Sequence, residues 1–373
     1  MQLAFCIYKY FPYGGLQRDF LQIAKACHDR GHKIRVYVME WKGDIPDEFE
    51  VILVAKKGLS NHSRNQAYYN WVRDHLKSNP VDCIIGFNKM PGLDVYFAGD
   101  TCFAEKSAHK GFFYKQSKRY KHYLTFEQAV FNQTSTTKIM VLTKQQIHDF
   151  KNYYHTQDER FYLLPPGIAL NRKYNVYAPI KREQFRQKNQ ISQDDFVIVQ
   201  IGSDFKRKGV DRSLKSIAAL PNELKQKVTY LVVGQDKPEP YQKLAQELNI
   251  TKHVRFFSGR DDIADFLFSA DLLLHPARQE AAGMVLIEAL VAGVPVMVSG
   301  ISGYAFHISQ ANAGIVLTEP YHQNDLDQAL IQSINNKEQW LSWHKNAIAY
   351  SNNEDLYHLA QRAADIILGC HHE

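Results

Sequence analysis

The sequence has few cysteines and no spacing that would let them hold a fold together. Five cysteines occur among its 373 residues, and none forms a C-x-x-C pair or has the paired Cys and His spacing of a structural zinc site. Disulfide frameworks and structural zinc sites both depend on such paired spacings. We therefore expect reduced thiols, as in a cytosolic protein.

Long apolar runs are also missing. A membrane-spanning helix needs about 18 or more successive apolar residues, and the sequence contains no such run. The first residues lack the basic region and the extended apolar core of a secretory signal peptide. These two absences predict that nothing in the chain spans a membrane and that the protein stays in the cytosol.

The charge is not extreme in either direction. The chain has 45 Lys and Arg against 39 Asp and Glu, a formal net charge of +6, and 45% hydrophobic residues. This balance is ordinary for a globular protein, and the slight positive excess suits anionic ligands or surfaces without indicating nucleic acid. A chain of this length favours two domains over one.

The first βαβ unit lacks the glycine fingerprint of dinucleotide-binding enzymes. Residues 3–8 and 33–39 are typical of buried strands, and the apolar spacing between them predicts a helix that follows Gly14 and Gly15. Because G-x-G-x-x-G is absent, a nicotinamide or flavin enzyme is disfavoured. The two glycines would let the backbone approach a ligand closely. A plain tight turn is the alternative.

Residues 102–131 differ in composition from the rest of the chain, because aromatic residues alternate there with cationic ones and only two glutamates oppose the charge. The residues that we assign to a membrane-binding surface are Lys106, Lys110, Phe112, Phe113, Lys115, Lys118, Arg119 and Lys121. Basic and aromatic residues together favour contact with an anionic membrane surface. Nucleic acid would use the same residue types, and a core helix with a solvated basic face is the remaining alternative.

The second half of the chain starts the α/β pattern again and carries three adjacent cations. A buried strand at residues 196–203 leads through Lys206, Arg207 and Lys208 into a helix that begins near residue 210. At such a turn arginine can grip phosphate oxygens as a fork, lysine adds a point charge, and the helix start adds N–H groups. We predict a phosphate clamp, with a solvated basic turn as the alternative.

A strand–loop–helix unit with two glutamates follows further along the chain. Residues 271–276 read as a buried strand, Glu280 and Glu288 flank a helix start near Gly283, and an apolar helical run follows. The N–H groups of a helix start can hold an anion, and carboxylates beside it can accept hydroxyl groups. A sugar diphosphate with a ribose beyond it would suit this arrangement. A capped crossover helix with one exposed glutamate explains the spacing equally well.

Taken together, these motifs resemble the retaining glycosyltransferases of family 4. The clamp at residues 202–209, followed by E-x7-E from Glu280 to Glu288, resembles the donor site of that family. Gly14 and Gly15 lie where the family has an N-terminal glycine loop. A more specific resemblance, to lipopolysaccharide core glucosyltransferases, covers essentially the whole chain and is carried by residues 8–12, 86–98, 234–238 and 275–277.

The resemblance implies the GT-B fold, an α/β architecture of two Rossmann-like domains that face a cleft. We expect an acceptor-binding domain over residues 1–168 and a UDP-sugar-binding domain over residues 169–353. Over residues 354–373 we expect a C-terminal helix that packs back on the first domain. The Pro-Pro-Gly sequence at residues 165–167 and the polar residues 171–186 are typical of such a boundary.

The resemblance also implies an activity. It implies transfer of glucose from UDP-glucose to a heptose of the lipopolysaccharide inner core, with retention and in α-1,3 linkage, during outer-core biosynthesis. The protein would be peripheral, on the cytoplasmic face of the bacterial inner membrane, with anionic lipids as partners and no nucleic acid. No cofactor and no metal are expected, because UDP-glucose is a substrate and side-chain cations neutralise the leaving diphosphate. The D-x-D motif at residues 325–327 falls in a predicted helix, and we interpret its aspartates as charged surface residues rather than as a metal site.

The roles of individual residues follow from the matching positions. Arg207 and Lys208 would hold the diphosphate, Glu280 would accept hydrogen bonds from the glucose, and Glu288 would bind the ribose hydroxyls. The other donor-binding residues that the resemblance implies are Gly14, Gly15, Arg172, Gly234, Arg260, Ala282, Gly283, Met284 and Val285. The catalytic residues that it implies are Glu280, Lys208, Asp19 and Asp100, and the two aspartates would orient the acceptor.

The chain departs from the family at one point and leaves rival classes open. Many members read E-G-F-G-L where this chain reads E-A-A-G-M at residues 280–284, so we expect close ligand approach at Gly283 rather than at Ala281. A same-fold enzyme for another UDP-sugar, or a UDP-sugar 2-epimerase, is the main alternative, and an epimerase would need no lipid acceptor. A lipopolysaccharide-binding scaffold without activity would have no reason to keep the clamp and both glutamates.

Overall fold

The computed structural model describes residues 1–12 and 14–369, which form two compact units. Unit 1 comprises Met1–Gly167 and the segment that begins at His358, and unit 2 comprises Ile168–Tyr357. Each unit is built on a parallel sheet whose strands are connected by helices. The expected α/β architecture with two Rossmann-like domains is confirmed.

The sheet of unit 1 has seven parallel strands in the order β5-β3-β1-β6-β7-β8-β9, and β2 and β4 form a small separate pair. The strands are β1 (Gln2–Cys6), β2 (Lys9–Tyr10), β3 (Lys33–Val38), β4 (Glu40–Trp41), β5 (Phe49–Leu53), β6 (Cys83–Gly86), β7 (Val95–Ala98), β8 (Lys138–Val141) and β9 (Phe161–Leu163). The central strands are almost continuously apolar because helices cover both faces. Strand order reverses between β1 and β6, and ligands of such sheets bind at the carboxyl ends of the strands at that point.

Among the described residues up to Gly167, unit 1 has six α-helices, namely α1 (Gly15–His28), α2 (Asn61–Ser78), α3 (Phe103–Ser107), α4 (Phe112–Gln116), α5 (Lys118–Phe131) and α6 (Lys144–Tyr154). Two of them begin at capping boxes. In a capping box the side-chain hydroxyl of the residue before the helix accepts the backbone N–H of the third helical residue, and the side chain of that third residue accepts the backbone N–H of the capping residue. Ser60 and Ser63 cap α2 in this way, and Thr143 and Gln146 cap α6.

The sheet of unit 2 has six parallel strands in the order β12-β11-β10-β13-β14-β15. The strands are β10 (Phe196–Ile201), β11 (Val228–Val233), β12 (Val254–Phe257), β13 (Leu272–His275), β14 (Val296–Ser299) and β15 (Gly314–Leu317). This is the doubly wound order of nucleotide-binding folds, in which the direction of winding reverses between the first and fourth strands. The reversal lies between β10 and β13, so their carboxyl ends mark the expected ligand position in this unit.

Ten helices belong to unit 2, namely α7 (Ala178–Lys188), α8 (Phe205–Lys208), α9 (Val210–Ala218), α10 (Asn222–Lys225), α11 (Glu239–Glu247), α12 (Ile263–Ser269), α13 (Met284–Val291), α14 (Ala305–Ala311), α15 (Gln323–Asn335) and α16 (Lys337–Asn353). The D-x-D aspartates lie on α15, where Gln323 donates a hydrogen bond to Asp327 across one turn. That pair therefore sits on a helix, as the sequence predicts.

Helix α7 begins inside the polar stretch at residues 171–186, for which the sequence predicts a domain boundary but does not indicate a helix. Its charged residues are held by tertiary contacts that a pattern of apolar spacing cannot reveal. Arg186 is completely buried and donates to Asp271 at 2.7 Å and to the carbonyl of Ser269. The buried ion pair attaches α7 to the start of β13.

The last helix, α17 (Leu359–Leu368), belongs to unit 1 and packs on α1. Leu359, Ala363 and Ile367 form its buried face, and Arg30 donates to Asp365 at 2.8 Å at the edge of the contact. The expected return of the C-terminal helix to the first domain is confirmed.

Cys6, Cys27 and Cys102 are free, buried thiols, Cys83 is also buried, and Cys370 lies outside the described residues. Burial raises the pKa of Cys6 to about 12, so this thiol stays protonated at neutral pH. Within residues 1–12 and 14–369, no helix is long and apolar enough to cross a membrane.

Candidate active site

The carboxyl end of β10 turns directly into the short helix α8, which carries the predicted clamp. Asp204 adopts a left-handed backbone conformation with φ of 63° and caps α8, because its carboxylate accepts the N–H of Arg207 at 3.2 Å. The same carboxylate accepts from Arg207 Nε at 3.1 Å. The turn thereby fixes both the backbone and the guanidinium of Arg207 beside the strand end.

Lys208 and Glu280 form a buried ion pair at the reversal of strand order in unit 2. Lys208 follows β10 and Glu280 follows β13, and the Nζ atom of Lys208 donates to Glu280 Oε2. Only 8% of Lys208 and 10% of the Glu280 side chain are exposed. Arg207 Nη1 lies 3.5 Å from the other carboxylate oxygen of Glu280. The sequence predicts a role for each of the three residues, and the structure brings them into contact.

His275 is a site residue that the sequence analysis did not single out. It is the last residue of β13, it is completely buried, and its Nε2 lies 3.3 Å from Glu280 Oε2. Its Nδ1 atom has no hydrogen-bond partner in the part of the chain that the structure describes. The contact assigns the Nε2–H tautomer, in which the imidazole donates to the carboxylate. Two signals in the sequence could have identified it: a polar residue ends an otherwise apolar strand, and residues 275–277 belong to a stretch that carries the family resemblance.

These contacts shift the protonation equilibria of the cluster. Burial alone would raise the pKa of Glu280, but the hydrogen bond from His275 and the charge of Lys208 outweigh it and hold that pKa far below its usual range. Burial lowers the pKa of His275, against the opposing effect of its hydrogen bond to Glu280. Burial also lowers the pKa of Lys208, against the attraction of Glu280. At neutral pH the cluster therefore combines an ionised glutamate with a neutral imidazole.

Two arginines that the sequence analysis did not identify hold the loop between β13 and α13 in place. Arg278 forms a two-pronged ion pair with Asp211 at 2.7 Å and donates to the carbonyl of Lys206 at 2.8 Å. Arg212 donates to the carbonyls of Pro276 and Ala277 at 3.1 and 3.2 Å. Because this loop carries Glu280, these contacts fix its position relative to α8.

The predicted anion-binding helix begins where expected, since Gly283 precedes α13 with a left-handed φ of 92°. Any residue with a side chain would be strained in this backbone conformation, and glycine avoids that strain. Ala282 is buried and its carbonyl accepts a hydrogen bond from the backbone N–H of Tyr304 at 2.7 Å, which holds the loop in place next to Met284 and Val285 at the helix start. The first N–H groups of a helix lack partners within the helix and can bind an anion.

Glu288 lies inside α13 and is paired with Arg172. Arg172 Nη1 lies 2.5 Å from Glu288 Oε1, and the glutamate is almost completely buried. Arg172 sits on a single 3-10 turn, Leu170–Arg172, before α7. The structure thus places Arg172 against the acidic residue of the E-x7-E motif, a pairing that the sequence spacing did not predict.

Gly234 and Arg260 follow β11 and β12, on one side of the clamp. A Cβ on Gly234 would lie 2.4 Å from the carbonyl oxygen of Gly202, so this glycine permits close packing of the loops after β10 and β11. Arg260 forms a two-pronged ion pair with Asp262 at 2.6 and 2.7 Å. Neither residue contacts the Lys208–Glu280 pair directly, but both lie along the same edge of the sheet.

The predicted residues of unit 1 form a separate set. Gly14 and Gly15 begin α1, a Cβ on Gly15 would meet open space, and Asp19 is buried one turn further along. Asp100 follows β7 and has an exposed carboxylate that Tyr96 Oη contacts at 2.6 Å and Lys89 Nζ at 3.1 Å. These contacts fix the carboxylate of Asp100 while leaving it open to a ligand.

The basic and aromatic segment folds into α3, α4 and α5. None of the α4 residues is buried, and Phe112 and Phe113 are 71% and 90% exposed. The cations Lys106, Lys110, Lys118, Arg119 and Lys121 are also exposed, and Lys115 is half-buried. By contrast, the second half of α5 buries Phe126, Val130 and Phe131 in the core. The segment therefore joins an exposed basic and aromatic surface to a core helix.

Two doubly wound units, with the cations Arg207 and Lys208 close to a helix start, are typical of the class of GT-B nucleotide-sugar glycosyltransferases. Residues 181–350 match the family described as glycosyl transferases group 1. The lipopolysaccharide glucosyltransferase WaaG of Escherichia coli (strain K12) is 51% identical over 370 residues, which are 99% of each chain. A crystal structure of WaaG has a TM-score of 0.95 at 51% identity and covers 98% of this chain and 100% of its own. This chain belongs to the WaaG family of glycosyltransferases.

A more distant structure shares the fold alone. Anabaena HepE, solved in complex with UDP-glucose, is 18% identical with a TM-score of 0.78, over 99% of this chain and 100% of its own. At this identity the likeness extends to the architecture and not to individual residues.

Proposed function

We propose that the protein transfers glucose from UDP-glucose to a heptose of the lipopolysaccharide inner core, in α-1,3 linkage and with retention of configuration. The single observation that carries this proposal is the Lys208–Glu280 pair at the strand reversal of unit 2, in a chain half identical to a lipopolysaccharide glucosyltransferase. Group 1 membership alone would allow many sugar donors, and the full-length identity to a lipopolysaccharide glucosyltransferase supports glucose as the donor sugar.

The order of residues along the sheet edge supports a nucleotide sugar as donor. Arg260 follows β12, Gly234 follows β11, Lys208 follows β10 and Glu280 follows β13, and these strands are neighbours in that order. At about 4.8 Å per strand, β12 and β13 are about 14 Å apart. The parts of UDP-glucose follow the same order. The uridine would lie near Arg260, the diphosphate at the clamp and the glucose at Glu280.

The charges of the clamp supply what departure of UDP requires. Negative charge builds on the diphosphate as the glycosidic bond breaks, and fixed cations and helix N–H groups stabilise such charge strongly in a buried site. Arg207, Lys208 and the start of α13 are the groups in position to do so. The reaction therefore needs no metal ion in this proposal, and UDP-glucose acts as substrate rather than cofactor.

The contacts of both carboxylate oxygens of Glu280 support a front-face mechanism, in which the acceptor attacks from the side of the leaving group and the configuration is retained. A carboxylate nucleophile must be free to attack the anomeric carbon, whereas both oxygens of Glu280 accept contacts from cations or from His275. Its strongly lowered pKa also makes it a weak nucleophile. We therefore assign Glu280 to fixing the glucose, while the leaving phosphate oxygen takes the proton of the attacking heptose hydroxyl.

The exposed surface of α4 supports a membrane-bound acceptor. Phe112 and Phe113 can enter the lipid interface while the surrounding lysines contact anionic headgroups. The protein would then act as a peripheral enzyme on the cytoplasmic face of the inner membrane, where its lipid-linked acceptor is found.

An incorporation assay tests the proposal. Labelled glucose should pass from UDP-glucose to lipopolysaccharide truncated at heptose, and unlabelled UDP-galactose or UDP-N-acetylglucosamine should compete poorly. If the protein consumes UDP-glucose equally fast without acceptor, a 2-epimerase replaces the transferase. If another UDP-sugar is incorporated faster, the glucose assignment is wrong.

A further inference from the structure

A cavity of about 360 Å³ opens at the carboxyl edge of the unit 1 sheet. It lies where strand order reverses between β1 and β6, since Ile7 and Tyr8 follow β1, Asn88 follows β6, and all three line it. The N–H of Tyr8 donates to Asn88 Oδ1 at 2.8 Å and ties the two strand ends together. This is the position in unit 1 that corresponds to the clamp in unit 2.

The charged groups of this cavity are of one sign. Lys9, Lys56 and Arg64 line it, and among the described residues that line it none carries a carboxylate. The nearest counter-charge is Glu40, which contacts Lys56 and lies 4.0 Å from Lys9. Three cations against one carboxylate leave an excess of positive charge, which favours an anionic ligand.

Helix α2 presents one face of its first turn to the cavity. Asn61, Arg64 and Asn65 stand at positions i, i+3 and i+4 and all line the space. Arg64 Nε donates to the carbonyl of Gly58 at 3.0 Å, which holds the guanidinium beside the helix start. The N-terminus of this 18-residue helix adds its own partial positive charge to that of the arginine.

The remaining lining suits a sugar rather than a bare ion. Asn61, Asn65 and Asn88 provide amides that can both donate to and accept from hydroxyl groups. Tyr8 and Tyr123 provide apolar ring faces with polar tips. A small set of polar groups in a partly apolar cavity is typical of a site that orients one ligand.

We propose that this cavity binds an acidic saccharide, a sugar that bears a carboxylate or a phosphate, and that Arg64 and Lys56 contact its anionic group. The inference rests on the proposed function only in taking that saccharide to be part of the lipopolysaccharide acceptor. It makes the negative charge of the inner core, and not only the heptose hydroxyl, a determinant of acceptor choice.

The test compares Arg64→Gln and Lys56→Gln with Lys57→Gln, a matched change at an exposed lysine outside the cavity. At saturating UDP-glucose, each cavity variant should raise the acceptor KM about tenfold, because a hydrogen bond to a charged group is lost. The KM for UDP-glucose should stay at the wild-type value, which also shows that the variants are folded. An unchanged acceptor KM, or an equal rise in Lys57→Gln, overturns the proposal.

Chemically altered acceptors identify the anionic group. Dephosphorylated acceptor and carboxyl-reduced acceptor should be compared with the untreated one, and the treatment that abolishes the difference between wild type and Arg64→Gln names the group. If neither treatment abolishes the difference in acceptor KM between wild type and Arg64→Gln, the cavity does not bind an anionic group of the acceptor and the proposal fails. Calorimetric titration with deacylated core oligosaccharide separates this proposal from the proposed function, since binding lost in Arg64→Gln supports the site even if no transfer occurs.

Discussion

His275 Nε2 lies 3.3 Å from Glu280 Oε2, and the imidazole is completely buried. The histidine ends β13 and the glutamate lies five residues further along the same loop, so the strand itself positions the carboxylate that the proposed mechanism needs. Lys208 approaches the same oxygen from the neighbouring strand end. The site is thus a three-residue cluster at the adjacent ends of β10 and β13.

Loss of the Glu280 carboxylate should reduce catalysis severely. Glu280→Ala should lower kcat/KM for glucose transfer at least about 100-fold, since a transition-state contact of this kind contributes about 3 kcal/mol. Steady-state kinetics with heptose-terminated acceptor measures the effect. Glu247→Ala, an exposed glutamate at the end of α11, is the control, and near-wild-type rates in Glu280→Ala would refute the site assignment.

Lys208 should be far more important than the lysine two positions before it. Lys208→Ala should lower kcat about 100-fold because a buried cation beside the diphosphate is lost. Lys206→Ala removes an exposed lysine from the same short helix and should have less than a twofold effect. Equal losses in the two variants would mean that the helix, and not the buried cation, matters.

His275 should act as a positioning residue. His275→Ala should lower kcat about tenfold, because Glu280 loses one hydrogen bond that holds it, with little change in the KM for the acceptor. His275→Gln retains an N–H donor and should recover most of the rate. A rate in His275→Gln as low as in His275→Ala would contradict the assignment of a positioning role to the N–H donor.

The same histidine should make stability depend on pH. Burial lowers the pKa of His275 below the ordinary 6.5, so between those two values the unfolded chain binds more protons than the folded one. The contribution of neutral His275 to the free energy of unfolding is complete above about pH 6.5, and it is lost as the pH falls toward the pKa of the folded state. Thermal unfolding should therefore show a smaller drop in Tm from pH 7.5 to pH 5 for His275→Gln than for the wild type.

Other groups should not disturb this comparison. His122 and His307, whose pKa values burial lowers to about 4, titrate equally in both proteins and cancel. The groups that face His275 are Glu280, Lys208 and Arg207, and the strongly lowered pKa of Glu280 places its own titration below this range. Identical Tm profiles for the two proteins would contradict the assignment.

The exposed aromatic residues should govern membrane binding without altering turnover of a soluble acceptor. Replacing both Phe112 and Phe113 with serine should weaken binding to anionic vesicles at least tenfold in a sedimentation assay, because burial of apolar area in the interface is lost. Val176→Ser, at an 81% exposed apolar position in unit 2, is the matched control. Unchanged vesicle binding in the double variant would rule out this surface.

The regular elements were predictable where apolar periodicity was strong. The spacing predicts a helix at residues 263–269 and a strand at residues 314–317, and both elements have those bounds in the structure. Apolar spacing also predicts a helix from residue 67 to residue 76, but α2 begins at Asn61 because Ser60 caps it. Helix α7 was missed because its stability depends on buried ion pairs with distant residues.

The candidate site was predictable in its residues but not in its contacts. A clamp and two glutamates are visible in the sequence, yet the spacing predicts neither the Arg172–Glu288 pair nor the contact of His275 with Glu280. The first contact joins residues that are 116 positions apart, and the second depends on the path of the loop after β13, neither of which the spacing of residues specifies. The cavity of unit 1 depends likewise on β1, β6 and α2, which are far apart along the chain.

The most direct test of the account is nuclear magnetic resonance of the product formed from isotope-labelled UDP-glucose and heptose-terminated lipopolysaccharide. The account predicts a single new glucose residue in α configuration, joined to the 3-position of a heptose, and no such product from Glu280→Ala. A β-linked glucose would contradict the retaining front-face mechanism. Glucose attached elsewhere than on heptose, or UDP released without any new linkage, would contradict the proposed function itself.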